Sequence, residues 1–191
     1  WPRHAPILFP CVGESKGAKI NVNGVDFPMG RHGFVRHQEF EIVETNTDKA
    51  VFELRSNEET RVHYPFEFLL KVTFSLKGNK LVQDFEVRNE GGVKLGFQLG
   101  GHPAFAVPFK AGEQYDDYQV QFDSAQTLYR HLLTADGLYN GETRQLLESE
   151  DSFGLSYGLF EEDALVFKNI PSKRIWIQNK SGGKKLIMDY E

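Results

Sequence analysis

In the stretch Phe66–Leu76, Phe66, Phe68, Leu70, Val72, Phe74 and Leu76 alternate with Glu67, Leu69, Lys71, Thr73 and Ser75. A period of two puts the two sets on opposite faces of an extended chain, so the segment reads as a half-buried β-strand. The tetrapeptide Lys77-Gly78-Asn79-Lys80 follows, and its Gly-Asn centre takes the positive φ angles of a tight hairpin turn. Leu81–Arg88 then returns, with Phe85 and Val87 on one face and Asp84, Glu86 and Arg88 on the other. The two segments predict an antiparallel hairpin.

Shorter segments of the same kind are Phe40–Val43, Ala50–Leu54, Tyr118–Phe122, Ala164–Phe167, Arg174–Gln178 and Lys185–Met188, most of them separated by turn clusters such as Asn46-Thr47-Asp48. Many short strands without long amphipathic helices between them predict an all-β, antiparallel sandwich or barrel. Sixteen Phe against two Met fit strands better than helices. Short helices are expected only over Thr127–Thr134 and Thr143–Leu147. No repeat, low-complexity tract or linker divides the 191 residues, so a single domain is expected over 1–191.

Composition excludes several classes. The net charge is -5 and no Lys or Arg run offers the electrostatic footprint that a phosphate backbone requires, so nucleic acid is not an expected partner. Cys11 is the only cysteine, which rules out an intrachain disulfide and a cysteine-based zinc site within one chain. No apolar run approaches the ~18 residues of a membrane helix and no signal-peptide pattern opens the chain, so a cytoplasmic, membrane-free protein is expected. Trp1 is not an initiator residue and the chain stops directly after an apolar run, which suggests a piece of a longer protein.

Two stretches interrupt the strands with Gly and His together: Gly30-Arg31-His32-Gly33-Phe34 and Leu99-Gly100-Gly101-His102-Pro103-Ala104-Phe105. The paired glycines let the backbone turn sharply or approach a ligand, while Pro103 biases His102 towards extended geometry and so limits its freedom. Gly30 and Gly33 leave space around His32. Any one such histidine is more often a loop residue satisfying local hydrogen bonds, and His4, His37, His63 and His131, which lack this framing, read that way. A metal pair is disfavoured because His32 and His37, five apart, fit neither strand nor helix spacing. Gly154-Leu155-Ser156-Tyr157-Gly158 matches the letters of a nucleophile elbow but lacks the buried strand before it and the helix after it.

Four blocks taken in order have a wider significance: Ala5-Pro6-Ile7-Leu8-Phe9-Pro10-Cys11-Val12-Gly13, His32-Gly33-Phe34-Val35-Arg36, Phe97-Gln98-Leu99-Gly100-Gly101-His102-Pro103-Ala104-Phe105 and Asp163-Ala164-Leu165-Val166-Phe167-Lys168-Asn169. Their order and spacing resemble the aldose 1-epimerase (galactose mutarotase) superfamily, and within it the LacX-like branch. The resemblance extends over nearly the whole chain. It implies a large antiparallel β-sandwich, a galactose mutarotase-like supersandwich incomplete here at both ends, that binds an aldohexose without metal or organic cofactor.

The resemblance also assigns roles. His102 matches the general acid on the ring oxygen, His32 the second histidine, and Asp163 a sugar-binding aspartate. The family's glutamate base is expected after Glu191, so the 191 residues alone are expected to be nearly inactive. The arginine that mutarotases carry after the Leu-Phe-Pro-like block falls at Glu14, a charge reversal, and Arg3 is the candidate to replace it. Ala104 stands where mutarotases tend to have an aromatic residue against the sugar. Independently of the resemblance, aromatic residues such as Phe34 and Phe105 are candidates to stack on the C–H face of a sugar.

Mutarotation needs a proton taken from the anomeric hydroxyl and another given to the ring oxygen, work that suits a histidine without extreme tuning. A sugar-binding or sensing protein on the same fold is the alternative that Glu14 and Ala104 favour. A metal-dependent sugar isomerase on a β-barrel is the third. Neither the sugar, its phosphorylation nor the number of subunits follows from the sequence.

Overall fold

In the computed structural model, which describes residues 4–190, strands dominate, and every pairing between named strands is antiparallel. Residues up to Pro103 form one compact unit and those from Ala104 another.

In the first unit β1 (Ile7–Leu8) leads to the hairpin of β2 (Lys19–Val22) and β3 (Val25–Pro28). A meander of β4 (Glu41–Thr45), β5 (Lys49–Arg55), β6 (Phe68–Lys77) and β7 (Lys80–Asn89) follows, pairing in that order, with helix α1 (Glu58–His63) between β5 and β6. The predicted hairpin is β6–β7, in register from Phe68↔Asn89 to Lys77↔Lys80. Its two-residue loop has Gly78 at φ +64°, the positive angle that a II′ turn needs at its first central position.

Alternation decides which face of this sheet turns inward. Phe68, Leu70 and Val72 are fully buried and join Phe9, Met29, Phe34, Val35, Leu54 and Tyr64 in one core cluster. On the other face Lys71, in register between Glu53 and Glu86, pairs with both at 3.4 and 3.5 Å. Such exposed pairs contribute at most ~1 kcal/mol each, and here they mark the outer face more than they stabilise it. Leu69 departs from the pattern: it is buried on the polar face, in register between Arg55 and Arg88, whose aliphatic stems suit covering it.

Helix α1 has no counterpart in the sequence reading, because six residues carry too little period to register. Local hydrogen bonding makes it. Asn57 Oδ1 accepts from the Thr60 N–H at 2.9 Å and Thr60 Oγ1 accepts from the Asn57 N–H at 2.8 Å, a reciprocal capping box.

The second unit is a four-stranded sheet in the order β10 (Tyr139–Gly154), β9 (Tyr118–Leu133), β11 (Arg174–Asn179) and β12 (Lys185–Asp189). Both expected helices are corrected here, since Thr127–Thr134 and Thr143–Leu147 belong to the β9–β10 hairpin, with Thr143 opposite His131 and Gln145 opposite Tyr129. Register shifts at four places along this pair break the alternation and made it resemble helical spacing. Leu128 and Leu147 end as facing core positions beside Phe122. Ala164–Phe167 forms no full strand, only a bridge between Val166 and His131.

Candidate functional site

The segment Ile7–Gly13 is the spine of the site, and both histidine stretches are attached to it. On one side β1 pairs with β8 (Gly100–Gly101), Ile7 facing Gly101 and Leu8 facing Gly100. Gln98 extends this contact: its N–H donates to the Pro10 carbonyl at 2.8 Å, and its side-chain Oε1 accepts from the Val12 N–H at 2.9 Å. On the other side Phe9 bridges Gly33 in parallel, the His32 N–H donates to the Gly13 carbonyl at 2.8 Å, and the Gly13 N–H donates to His32 Nδ1 at 3.0 Å.

Close approach explains the glycine at 33. Its φ is +74°, and a Cβ there would lie 2.0 Å from the Phe9 carbonyl oxygen. His32 itself has φ +67°, a left-handed conformation that costs a non-glycine residue about 1 kcal/mol or more and persists only where surrounding bonds enforce it. The paired hydrogen bonds to Gly13 supply that constraint.

The consequence is that two histidines far apart in the chain stand together. Their ring centroids are 5.8 Å apart and their planes cross at 77°, an edge-to-face pair, and both residues are half-buried. Because His32 Nδ1 accepts a main-chain hydrogen bond, the proton of the neutral ring sits on Nε2. Burial first, then the charge of Arg36, and then His102 and Arg31, hold His32 below the ordinary histidine value of 6.5, with Glu14 pulling weakly the other way. At neutral pH His32 is therefore an uncharged Nε2–H donor. Glu14 and Arg31 form an ion pair at 3.6 Å, and the Arg36 guanidinium donates to the Arg31 carbonyl. The glutamate at the position of the expected arginine is thus charge-compensated by a neighbour of His32.

Asp163 belongs to the second unit, is exposed, and takes φ +77° with its own Oδ1 accepting from the Ala164 N–H at 2.7 Å. Arg3 lies outside the described residues. Phe34 is no sugar platform: it is 7% exposed in the core and stacks on His63, whose Nδ1 meets the Pro28 carbonyl at 2.9 Å. Ser156 is exposed and precedes a 3-10 turn, Tyr157–Phe160, instead of the α-helix of a nucleophile elbow. Among the described residues no group of three His, Cys, Asp or Glu side chains gathers to hold a metal, and no helix is long and apolar enough to cross a membrane. Sequence reasoning missed the contribution of Gly13, whose main chain fixes the His32 ring, since a backbone donor leaves no residue-type signal.

Such a pair, one ring held as a neutral donor beside a second half-buried imidazole on a braced loop, is suited to proton transfer near neutral pH. The aldose 1-epimerase family pattern matches residues 3–167, and the chain belongs to that family. It is 31% identical to the chromosomal protein LacX of Lactococcus lactis subsp. lactis, over 100% of this chain and 67% of LacX. A galactose mutarotase related enzyme from Lactobacillus acidophilus superposes with a TM-score of 0.89 at 31% identity, covering 98% of this chain and 62% of that one. A galactose mutarotase-like protein from Lactobacillus casei gives the same TM-score at 28% identity, covering 99% and 65%. The fold is that of the galactose mutarotase-like β-sandwich proteins, and the chain spans somewhat under two thirds of the length of these two solved relatives.

Proposed function

We propose that this chain carries the acid side of an aldose 1-epimerase site, which interconverts the α and β anomers of an aldohexose by opening and reclosing the ring. The observation that supports it is the edge-to-face pair of His32 and His102, the two histidines to which the family resemblance gives roles. In this reading His102 delivers a proton to the ring oxygen as the anomeric hydroxyl loses one to a carboxylate base. His32, neutral and fixed through Gly13, donates its Nε2–H to a sugar oxygen. Asp163 and Arg3 hold further hydroxyls. The open-chain sugar turns about one bond and closes on the other face. No redox change or group transfer occurs, so the reaction asks nothing of a cofactor. A cytoplasmic setting accords with Cys11, a free thiol.

The ion pair of Glu14 with Arg31 favours a second reading, a sugar-binding protein of the same fold without catalysis, because it replaces the lone arginine of the mutarotases with a compensated pair. One assay separates the two. Polarimetry on a freshly dissolved α-aldohexose should show the intact protein, which includes the glutamate base expected after Glu191, speeding the approach to anomeric equilibrium, and His102→Asn in it should lower that rate by about 10²–10⁴-fold, the usual worth of a positioned acid. Saturable sugar binding with no acceleration would decide for the second reading, and full activity in His102→Asn would refute the acid assignment.

A further inference from the structure

We propose that the second unit carries a binding site of its own for an anionic sugar, a monosaccharide bearing a phosphate or a carboxylate, in the concavity between the β9–β10 hairpin and the segment 168–171. Both walls belong to the second unit, so the site is built without the histidine pair and does not depend on the activity proposed for that pair.

The register of the hairpin creates it. Thr127, Tyr129 and His131 occupy alternate positions of β9 and so share a face, opposite to that of the buried Leu128, and Thr143 of β10 stands opposite His131. The bridge from Val166 to His131 draws the following segment alongside, and Lys168 and Asn169 become the other wall of a concavity of about 430 Å³. That volume falls within the range of small-molecule sites and is ample for one pyranose.

Its chemistry is one-sided. No lining residue is acidic, although acids outnumber bases along the chain by 27 to 22. The polar groups present are donors or donor-capable: the Lys168 ammonium, the His131 ring, the Tyr129 hydroxyl, the hydroxyls of Thr143 and of Thr127, whose Oγ1 accepts from the Ser149 N–H, and the Asn169 amide. Lys168 is already positioned, with Nζ 4.1 Å from the centroid of the Tyr139 ring, and His131 meets the same ring edge-on at 5.7 Å. One aromatic side chain thus gathers both cationic or cation-capable groups at one place, where an anion would meet charge-assisted hydrogen bonds. Tyr129 is 49% exposed and offers a flat apolar face for the C–H side of a sugar ring. A bare anion would leave Tyr129 unused, and a neutral sugar would leave Lys168 unused. A ligand with both parts uses the whole lining.

Amide chemical-shift titrations with glucose 6-phosphate, glucuronate, glucose and inorganic phosphate test the assignment. Glucose 6-phosphate, glucuronate or both should give saturable shifts at Thr127–His131, Thr143, Lys168 and Asn169, and which of them binds identifies the anion. Glucose and inorganic phosphate, each lacking one half of the ligand, should bind about tenfold more weakly. Lys168→Met should weaken the anionic sugar by about tenfold and Tyr129→Ser by about fivefold, both at exposed positions where the fold tolerates change. His102→Asn should leave these shifts untouched, which keeps this site distinct from the histidine pair. The proposal is overturned if neither anionic sugar gives saturable shifts there, if inorganic phosphate binds as tightly as the sugar phosphate, or if Lys168→Met binds like the parent protein.

Discussion

The two units bury themselves differently. In the first, nine buried side chains form a single cluster in which Phe9 meets the rings of Tyr64 and Phe68 at 5.9 and 5.2 Å, and the segment that bears Phe9 also braces both histidine loops. In the second, the buried cluster is three residues, Phe122, Leu128 and Leu147, and much of the order resides in backbone pairing along a bulged hairpin. The difference bears on function. Holding two imidazoles within 6 Å on separate loops requires a rigid support, since reacting groups lose most of their advantage when they drift by an ångström. A thin core under a twisted, irregular hairpin leaves faces open and suits surface recognition.

The largest test of this contrast exchanges glycines. Gly33→Ala would place a methyl 2.0 Å from the Phe9 carbonyl at a φ of +74°, so the spine and the histidine loop must separate. A loss of about 3–5 kcal/mol in urea denaturation is expected, in the range of the most damaging single substitutions. Gly154→Ala in the second unit meets only the end of the Lys180 side chain, at 3.1 Å, and should cost about 1 kcal/mol as the hydrogen bond from Lys180 to the Asp116 carbonyl shifts. Equal losses in the two variants would break the contrast.

Core truncation sharpens it at a smaller scale. Leu70 is fully buried in the larger cluster, surrounded by strands on both sides, whereas Leu128 belongs to the three-residue cluster and also borders the concavity. Leu70→Ala should cost about 3–4 kcal/mol and Leu128→Ala about 2 kcal/mol, because a cavity that can collapse or admit water is less expensive than one that cannot. Thermal or urea unfolding monitored on both proteins reads the ranking directly. A reversed order would mean that the second unit is the better packed.

The same contrast explains what the sequence made legible. The β6–β7 hairpin was readable to its turn because its alternation is unbroken and one face is buried, and β4, β5, β11 and β12 were located to within a few residues from their short apolar runs between turn clusters. Of the β9–β10 hairpin only Tyr118–Phe122 was read as strand, since beyond it each bulge shifts the apolar set and produces a spacing that resembles a short helix. At the site, glycine and proline framing singled out His32 and His102 from six histidines, and the structure brings them together. What could not be read were the contacts made by main-chain atoms: Gly13 to His32, Gln98 to Pro10 and Phe9 to Gly33. Backbone donors are the same in every residue, so they leave no trace in a pattern of side chains. Phe34 was misassigned for the related reason that an aromatic residue beside a candidate site looks alike whether it faces a ligand or the core.

The smallest expected effect is a pH dependence confined to the first unit. Burial and the nearby Arg36, His102 and Arg31 lower the His32 pKa in the folded state from 6.5, with Glu14 the opposing group, so the unfolded chain takes up its proton first as pH falls. The stability contributed by neutral His32 is therefore fully present above about pH 6.5 and is lost progressively as pH drops towards the folded value. The structural change follows from the same hydrogen bond. Protonation puts a hydrogen on Nδ1, the Gly13 N–H then faces a donor instead of an acceptor, and the clasp between the spine and the histidine loop opens. Exposure of the ring to solvent moderates the energy, so local opening is the better measure than global unfolding. Amide exchange, corrected for its intrinsic pH dependence, should show protection at Gly13 and His32 falling between about pH 7 and pH 5. Protection at Val120 and Phe122 in the second unit should stay constant over that range. His32→Asn should abolish the dependence, because asparagine keeps an acceptor near the Nδ1 position and does not titrate. Protection at Gly13 that is unchanged or rises on acidification would show that the clasp does not rest on neutral His32.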